Sequence, residues 1–308
     1  MSPRQRFAAW RRCAAWLILS ASVAGCQKNP TTAEPTLTEQ VDLAELVGDP
    51  EARARKLLAL AQQQRQARDT PGAATTAGKA VGAAAKVADP RRRTELLTAL
   101  AGEFAEQGRK NESSAVLTSA RVAVATIEDR AMKVDAETRL AAEFYRLGEP
   151  AAGADALEGA ELLVDGIDDP AARVPRLAGL AATRYVGGSK AKGDEHLASV
   201  EKSAALVTDA AARSQALASA AARLYEAKHP TEGRKPLEAA VQAARGVTDA
   251  ASRGRALVGI ATTMQTFRRE LPLNELLAEA AAAAQQATDP AAQADLMRQV
   301  QTLLNAPE

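Results

Sequence analysis

Apolar and polar positions alternate along this chain with the period of a helix, and the pattern restarts at a fixed interval. In GIDDPAARVPRLAGLAATRYVGG, residues 166–188, Leu177, Leu180, Ala181 and Tyr185 recur at helical spacing. Asp169 stands at the N-cap and Pro170 at the first helical position, where a missing N–H costs nothing. Gly187 and Gly188 end the run. The spacing predicts a helix from Pro170 to the glycine pair.

The same opening recurs at Asp49, Asp89, Asp129, Asp169, Asp209, Asp249 and Asp289, 40 residues apart each time. Four residues after the Asp stand Arg53, Arg93, Lys133, Arg173, Arg213, Arg253 and then Gln293. Eleven after it stand Leu60, Leu100, Leu140, Leu180, Ala220, Ile260 and Val300, followed by an Ala column that breaks only at Gln301. Leu117, Leu157, Leu197, Leu237 and Leu277 align later in the unit. The unit reads as helix A, a turn at Gly108, Gly148 or Gly188, helix B, and a tight return to the next Asp; Pro71, Pro150 and Pro230 mark the start of helix B. Two helices cannot enclose a core alone, so stacked copies must bury a continuous apolar seam, which predicts an all-α solenoid of helix-turn-helix repeats. Six repeats begin at Asp49, Asp89, Asp129, Asp169, Asp209 and Asp249, between a half-unit at 37–47 and a last helix whose Gln293, Asp295 and Gln301 cap the stack; the solenoid spans 37–308. Pro175 and Pro236 fall about the sixth and fifth residues of their helices, which must start late or kink.

Leu140, Ala141, Phe144 and Gly148 in helix A, with Gly153, Leu157 and Ala160 in helix B, resemble the columns of tetratricopeptide repeats. The resemblance implies a right-handed superhelix with a concave partner-binding groove. That family's unit is about 34 residues against 40 here, and the HEAT-like array, whose unit is near 40, is the competing description.

The N-terminus reads differently. MSPRQRFAAWRR is basic and acid-free, and a short apolar stretch follows, below the roughly 18–20 residues that span a bilayer. It ends in Val23-Ala24-Gly25-Cys26, which resembles the bacterial lipoprotein lipobox. The resemblance implies a signal peptide over 1–25, lipidation of Cys26, and a polar tether over 26–36; an uncleaved anchor with an incidental Cys is the other reading. Gln27 after the Cys implies an outer-membrane address facing the periplasm, or the cell exterior in a single-membrane bacterium. Removing the four arginines of 1–25 leaves 35 cations against 38 anions, near −3, which is no footprint for nucleic acid. Cys13 leaves with the segment and Cys26 would be modified, so no disulfide is expected.

Chemistry is sparse. His196 and His229, the two histidines, fall at different places in the repeat and lack metal-ligand spacing. No phosphate loop, nucleophile elbow or paired-carboxylate motif appears, so neither enzymatic activity nor a metal, cofactor or small-molecule substrate is expected. The recurring Arg opposes the helix dipole and needs compensation, either from an acid four residues back or in the neighbouring repeat, or else it forms a basic row for an acidic partner. Tyr145, Tyr185 and Tyr225 align 16 residues after their Asp. On the tetratricopeptide frame they match a groove position, which makes them candidate partner-binding residues; the alternative is that each ring fills space between successive A helices. The functional expectation is a membrane-anchored scaffold for a protein or peptide partner in the cell envelope. A passive or self-associating envelope component is the other class.

Overall fold

The computed structural model describes residues 35–270 and 272–306. Cys26 and the whole N-terminal segment that carries the lipobox resemblance lie outside them. Fourteen α-helices and no strand occur among the described residues: α1 (Leu37–Glu45), α2 (Pro50–Gln66), α3 (Thr70–Ala84), α4 (Pro90–Glu106), α5 (Lys110–Ala125), α6 (Arg130–Leu147), α7 (Pro150–Val164), α8 (Pro170–Val186), α9 (Lys190–Ala205), α10 (Ala210–Glu226), α11 (Pro230–Arg245), α12 (Ala250–Thr263), α13 (Leu273–Gln285) and α14 (Pro290–Leu304). The chain is an all-α repeat solenoid. Even-numbered helices from α2 are the A helices and odd-numbered ones the B helices.

Each Asp of the series caps its helix. The carboxylate accepts from a backbone N–H two or three residues on: Asp49 from Ala52 at 2.7 Å, Asp129 from Met132 at 2.7 Å, Asp209 from Ala212 at 2.6 Å, Asp289 from Ala291 at 3.0 Å. This satisfies one of the orphan donors of the first turn. The A-to-B turns share one left-handed residue, at Gly108, Gly148 and Gly188 with φ of 75°, 83° and 78°. Arg68 and Lys228 occupy the equivalent place at φ 64° and 65°, a conformation that penalises a side chain. Helix α8 runs from Pro170 through Pro175, and α11 from Pro230 through Pro236, so neither helix starts late.

The A helices stack directly on one another, α2 on α4 through to α12 on α14, and each B helix packs on its own A helix and the next. Neighbouring B helices make no comparable contact. The most extensive contact between A helices is α8 on α10, and Ala178 and Ala182 on the one and Ala218 and Ala222 on the other are all buried.

The buried seam extends from α1 to α14 within one compact unit, and α6 serves two parts of it. One cluster of buried residues runs from Val41 to Leu147 and a second from Val134 to Val300, and they divide α6 between them. Eight residues after the Asp stand Leu57, Leu97, Leu177, Leu217 and Leu257, all buried, but Glu137 replaces the leucine on α6. A buried carboxyl interrupts the apolar column where the clusters meet.

The sixth unit departs from the pattern. Helix α12 ends at Thr263 and a 3₁₀ segment, Gln265–Glu270, follows, with Phe267 at a non-helical φ of −108°.

Candidate functional site

The structure places the rings of Tyr145, Tyr185 and Tyr225, read from the sequence as a groove row or as packing between A helices, at the hairpin turns. Tyr225 is 5% exposed and the other two are half-buried. Each ring lies against a glycine of its own B helix. A Cβ on Gly153 would stand 3.1 Å from Tyr145, one on Gly233 would stand 2.7 Å from Tyr225, and Gly193 faces Tyr185 the same way. The other edge of each ring meets the turn of the next repeat. A Cβ on Gly187 would stand 2.5 Å from Tyr145 Cζ, His229 lies 4.9 Å from Tyr185 between centroids, and Phe267 lies 5.2 Å from Tyr225. The Tyr185 hydroxyl donates to Asp194 at 2.8 Å, and burial first, then that carboxylate, push the phenol pKa up. The rings fill the wedge between a hairpin and its successor, and their area is spent on packing.

The recurring cation finds neither of the acids expected of it. Arg53 Nε donates to the Val47 carbonyl at 2.7 Å, Arg173 Nε to Ile167 at 3.1 Å, Arg253 Nη1 to Val247 at 3.1 Å and Lys133 Nζ to Ala125 at 3.1 Å. The carbonyls of Val47, Ile167 and Val247 belong to the short link that follows the preceding B helix, and that of Ala125 to the last residue of α5. The cation thus ties the first turn of its own helix to the segment that leads into it. Arg93 and Arg253 also reach the end of their own repeat's B helix, at Thr126 (3.3 Å) and Gln286 (2.7 Å). The column is structural, and its acceptors are backbone carbonyls.

Of the histidines, His229 stacks on Tyr185 and His196 Nε2 lies 2.8 Å from Glu161 Oε1. Arg184, with a side chain only 5% exposed, donates to both oxygens of Glu161 at 2.7 and 2.6 Å. Burial alone would raise the Glu161 carboxyl, but the hydrogen bonds from Arg184 and His196 outweigh it and hold it below the usual range. This junction ties α7, α8 and α9 together. No group of three or more metal-ligating side chains occurs among the described residues.

The surface on which chemistry converges is the inner face of the A helices. Asp135 on α6 accepts from Arg176 Nη2 on α8 at 2.8 Å and from Arg223 Nη2 on α10 at 3.2 Å. A side chain on α10 reaches α6 past α8 only on the inside of a bend, which identifies the concave side. Beside Asp135 is a recess of about 140 Å³ lined by Arg91, Glu95, Met132, Arg139 and Arg223 among others. Arg91 stands 4.0 Å from Glu95, while Arg139 has no ion-pair partner among the described residues and is exposed. Met132, 43% exposed, supplies an apolar edge. A free guanidinium beside a soft apolar side chain can hold a carboxylate and an apolar group together. Sequence reading missed these residues. For Glu95 and Asp135 the signal was the column six after the Asp, where Arg55, Glu95, Asp135, Pro175, Gln215 and Arg255 vary in charge and size as a non-core face does; Arg91, Met132, Arg139 and Arg223 stand in other columns.

Fold and surface together define a helical-repeat protein with a polar inner face. No protein-family model matches the chain, and no curated protein does. Among solved structures it is similar to Ton1535 from Thermococcus onnurineus NA1, at 13% identity over 87% of this chain and 100% of that one, with a TM-score of 0.38. It is similar also to BtubC (BKLC) from P. vanneervenii, at 16% identity over 68% of this chain and 91% of that one, with a TM-score of 0.39. Overlaps this loose carry no functional argument.

Proposed function

We propose that this chain is a non-enzymatic, tetratricopeptide-like lipoprotein scaffold, anchored through Cys26 at the cell envelope, whose inner helix-A face holds a protein or peptide partner. The outer-membrane, periplasm-facing address is part of the same reading and rests on the Val23–Gln27 stretch. The carrying observation for the binding role is Arg139, an exposed guanidinium without an ion-pair partner among the described residues, set beside Met132 and the Asp135 bridge. That combination suits a partner segment with a carboxylate next to an apolar side chain. Anchoring to a surface raises the effective concentration for partners on the same surface.

A photo-crosslinking residue in place of Ala136, which lines the same recess, in intact cells, should capture a protein other than this chain, and Arg139→Glu should abolish the capture. Capture of this chain alone would instead favour the self-associating component. That second reading draws on Val122 and Leu162, 69% and 81% exposed at equivalent places of α5 and α7, so crosslinking from 162 is the companion measurement. Incorporation of a fatty-acid probe, lost in Cys26→Ser, tests the anchor; no incorporation in the wild type would overturn it.

A further inference from the structure

Glu137 stands in a column that is leucine in five other repeats, is 8% exposed, and its Oε2 has no hydrogen-bond partner among the described residues. The side chain has room because Gly159 faces it from α7, where an added Cβ would lie 3.9 Å from Oε1. Its nearest cation, Arg121 on α5, holds Nε 3.9 Å from Oε2 but commits Nη1 to Asp155 on α7 at 2.6 Å. One guanidinium therefore stands between two carboxyls on two different helices, at the boundary of the two core clusters.

We propose that Glu137 is a proton-operated hinge of the solenoid at the α5–α6–α7 junction, closed when its carboxyl is neutral and loosened when it is ionised. Neutral, the carboxyl sits in its apolar column at little cost and Arg121 latches α5 to α7 through Asp155. Ionised, it is a buried charge that must draw Arg121 away from Asp155 or admit water, and either event slackens the α5–α6–α7 junction. The charges bearing on it are Arg121 from α5, Lys133 from its own helix and Asp155 from α7; α4 and α8 add none among the described residues. Burial raises the Glu137 carboxyl, with Arg121 and Lys133 pulling the other way. A raised folded-state pKa means that the stability this group contributes is full below the ordinary carboxyl value and is lost as pH rises through the raised one.

Hydrogen–deuterium exchange of the full chain between pH 4.5 and 8, corrected for intrinsic rates, tests this. Amides of α6 and α7 should exchange roughly tenfold faster on the alkaline side for each unit by which the pKa is raised, while α10 and α11 stay unchanged. Glu137→Gln and Glu137→Leu should both abolish the pH dependence and hold the protected state, and the leucine variant restores the column in case glutamine impairs folding. An α6–α7 response that is absent in the wild type, or that persists in both variants, would overturn the hinge.

Discussion

Arg173 donates from Nε to the backbone carbonyl of Ile167 at 3.1 Å, so the first turn of α8 is fastened to the link that follows α7 by a side chain with no ion-pair partner among the described residues. A hydrogen bond from a charged donor contributes about 1.5–3 kcal/mol. Arg173→Ala should lower the melting temperature by about 2–4 °C for each kcal/mol lost, read by differential scanning calorimetry. Arg173→Lys should recover part of the loss, because Lys133 already reaches its carbonyl from the same place in the repeat. A wild-type melting temperature in Arg173→Ala would show that the fastening is idle.

Tyr185 and Gly193 form a packed pair within one hairpin. Alanine is normally favoured over glycine within a helix by about 1 kcal/mol, yet Gly193→Ala should destabilise by about 1–3 kcal/mol through overpacking against the ring. The double variant Tyr185→Ala/Gly193→Ala should be more stable than the two single losses predict, which a denaturant double-mutant cycle measures. Additive losses would detach the ring from the glycine.

Lys228 holds φ at 65° where three other hairpins use glycine. Lys228→Gly should stabilise by about 1 kcal/mol, and Gly148→Ala should destabilise by a similar amount, in urea unfolding.

The Asp89 carboxyl is held below its ordinary range first by the backbone N–H of Arg92 and then by that of Arg91, against a desolvation that opposes them. Asp249 is lowered too, by Ser252. Groups with depressed folded pKa values contribute stability above their unfolded value, about 3.9, and lose it as pH falls through the folded one. The array should therefore soften below about pH 4, and Asp89→Asn should flatten that acid limb in a pH titration of the melting temperature. Glu137 has the opposite sign, so the two effects separate by pH.

Much of this was legible before any coordinates. The aspartate column cost nothing to read because an N-cap is a local device, fixed by three or four consecutive residues. The leucine and alanine columns, 11 and 12 residues on, are buried as their period requires. The acceptor of the recurring arginine was not legible, because it is a backbone carbonyl and leaves no mark in a side-chain column. The tyrosine site was legible in part: Gly153, Gly193 and Gly233 accompany Tyr145, Tyr185 and Tyr225, while Ala105 and Gln265 are accompanied by Ser113 and Leu273. That pairing, read as contact, gives the packing role directly. Glu137 was visible as the acid in a leucine column. The bridge from Asp135 to Arg223 was not, since residues 88 apart meet only through the bend of the A helices.

The fold depends on stacking in a frame of forty residues, and excision tests that frame. Far-UV circular dichroism and thermal unfolding of the chain lacking residues 169–208, one whole unit, should show undiminished helicity per residue and a cooperative transition at reduced temperature. Removal of residues 169–196 alone, which breaks the phase, should leave the chain on the C-terminal side of the cut unable to dock, with helicity falling well below that of the in-frame deletion. Equal behaviour of the two deletions, or collapse of the in-frame one, would contradict the account.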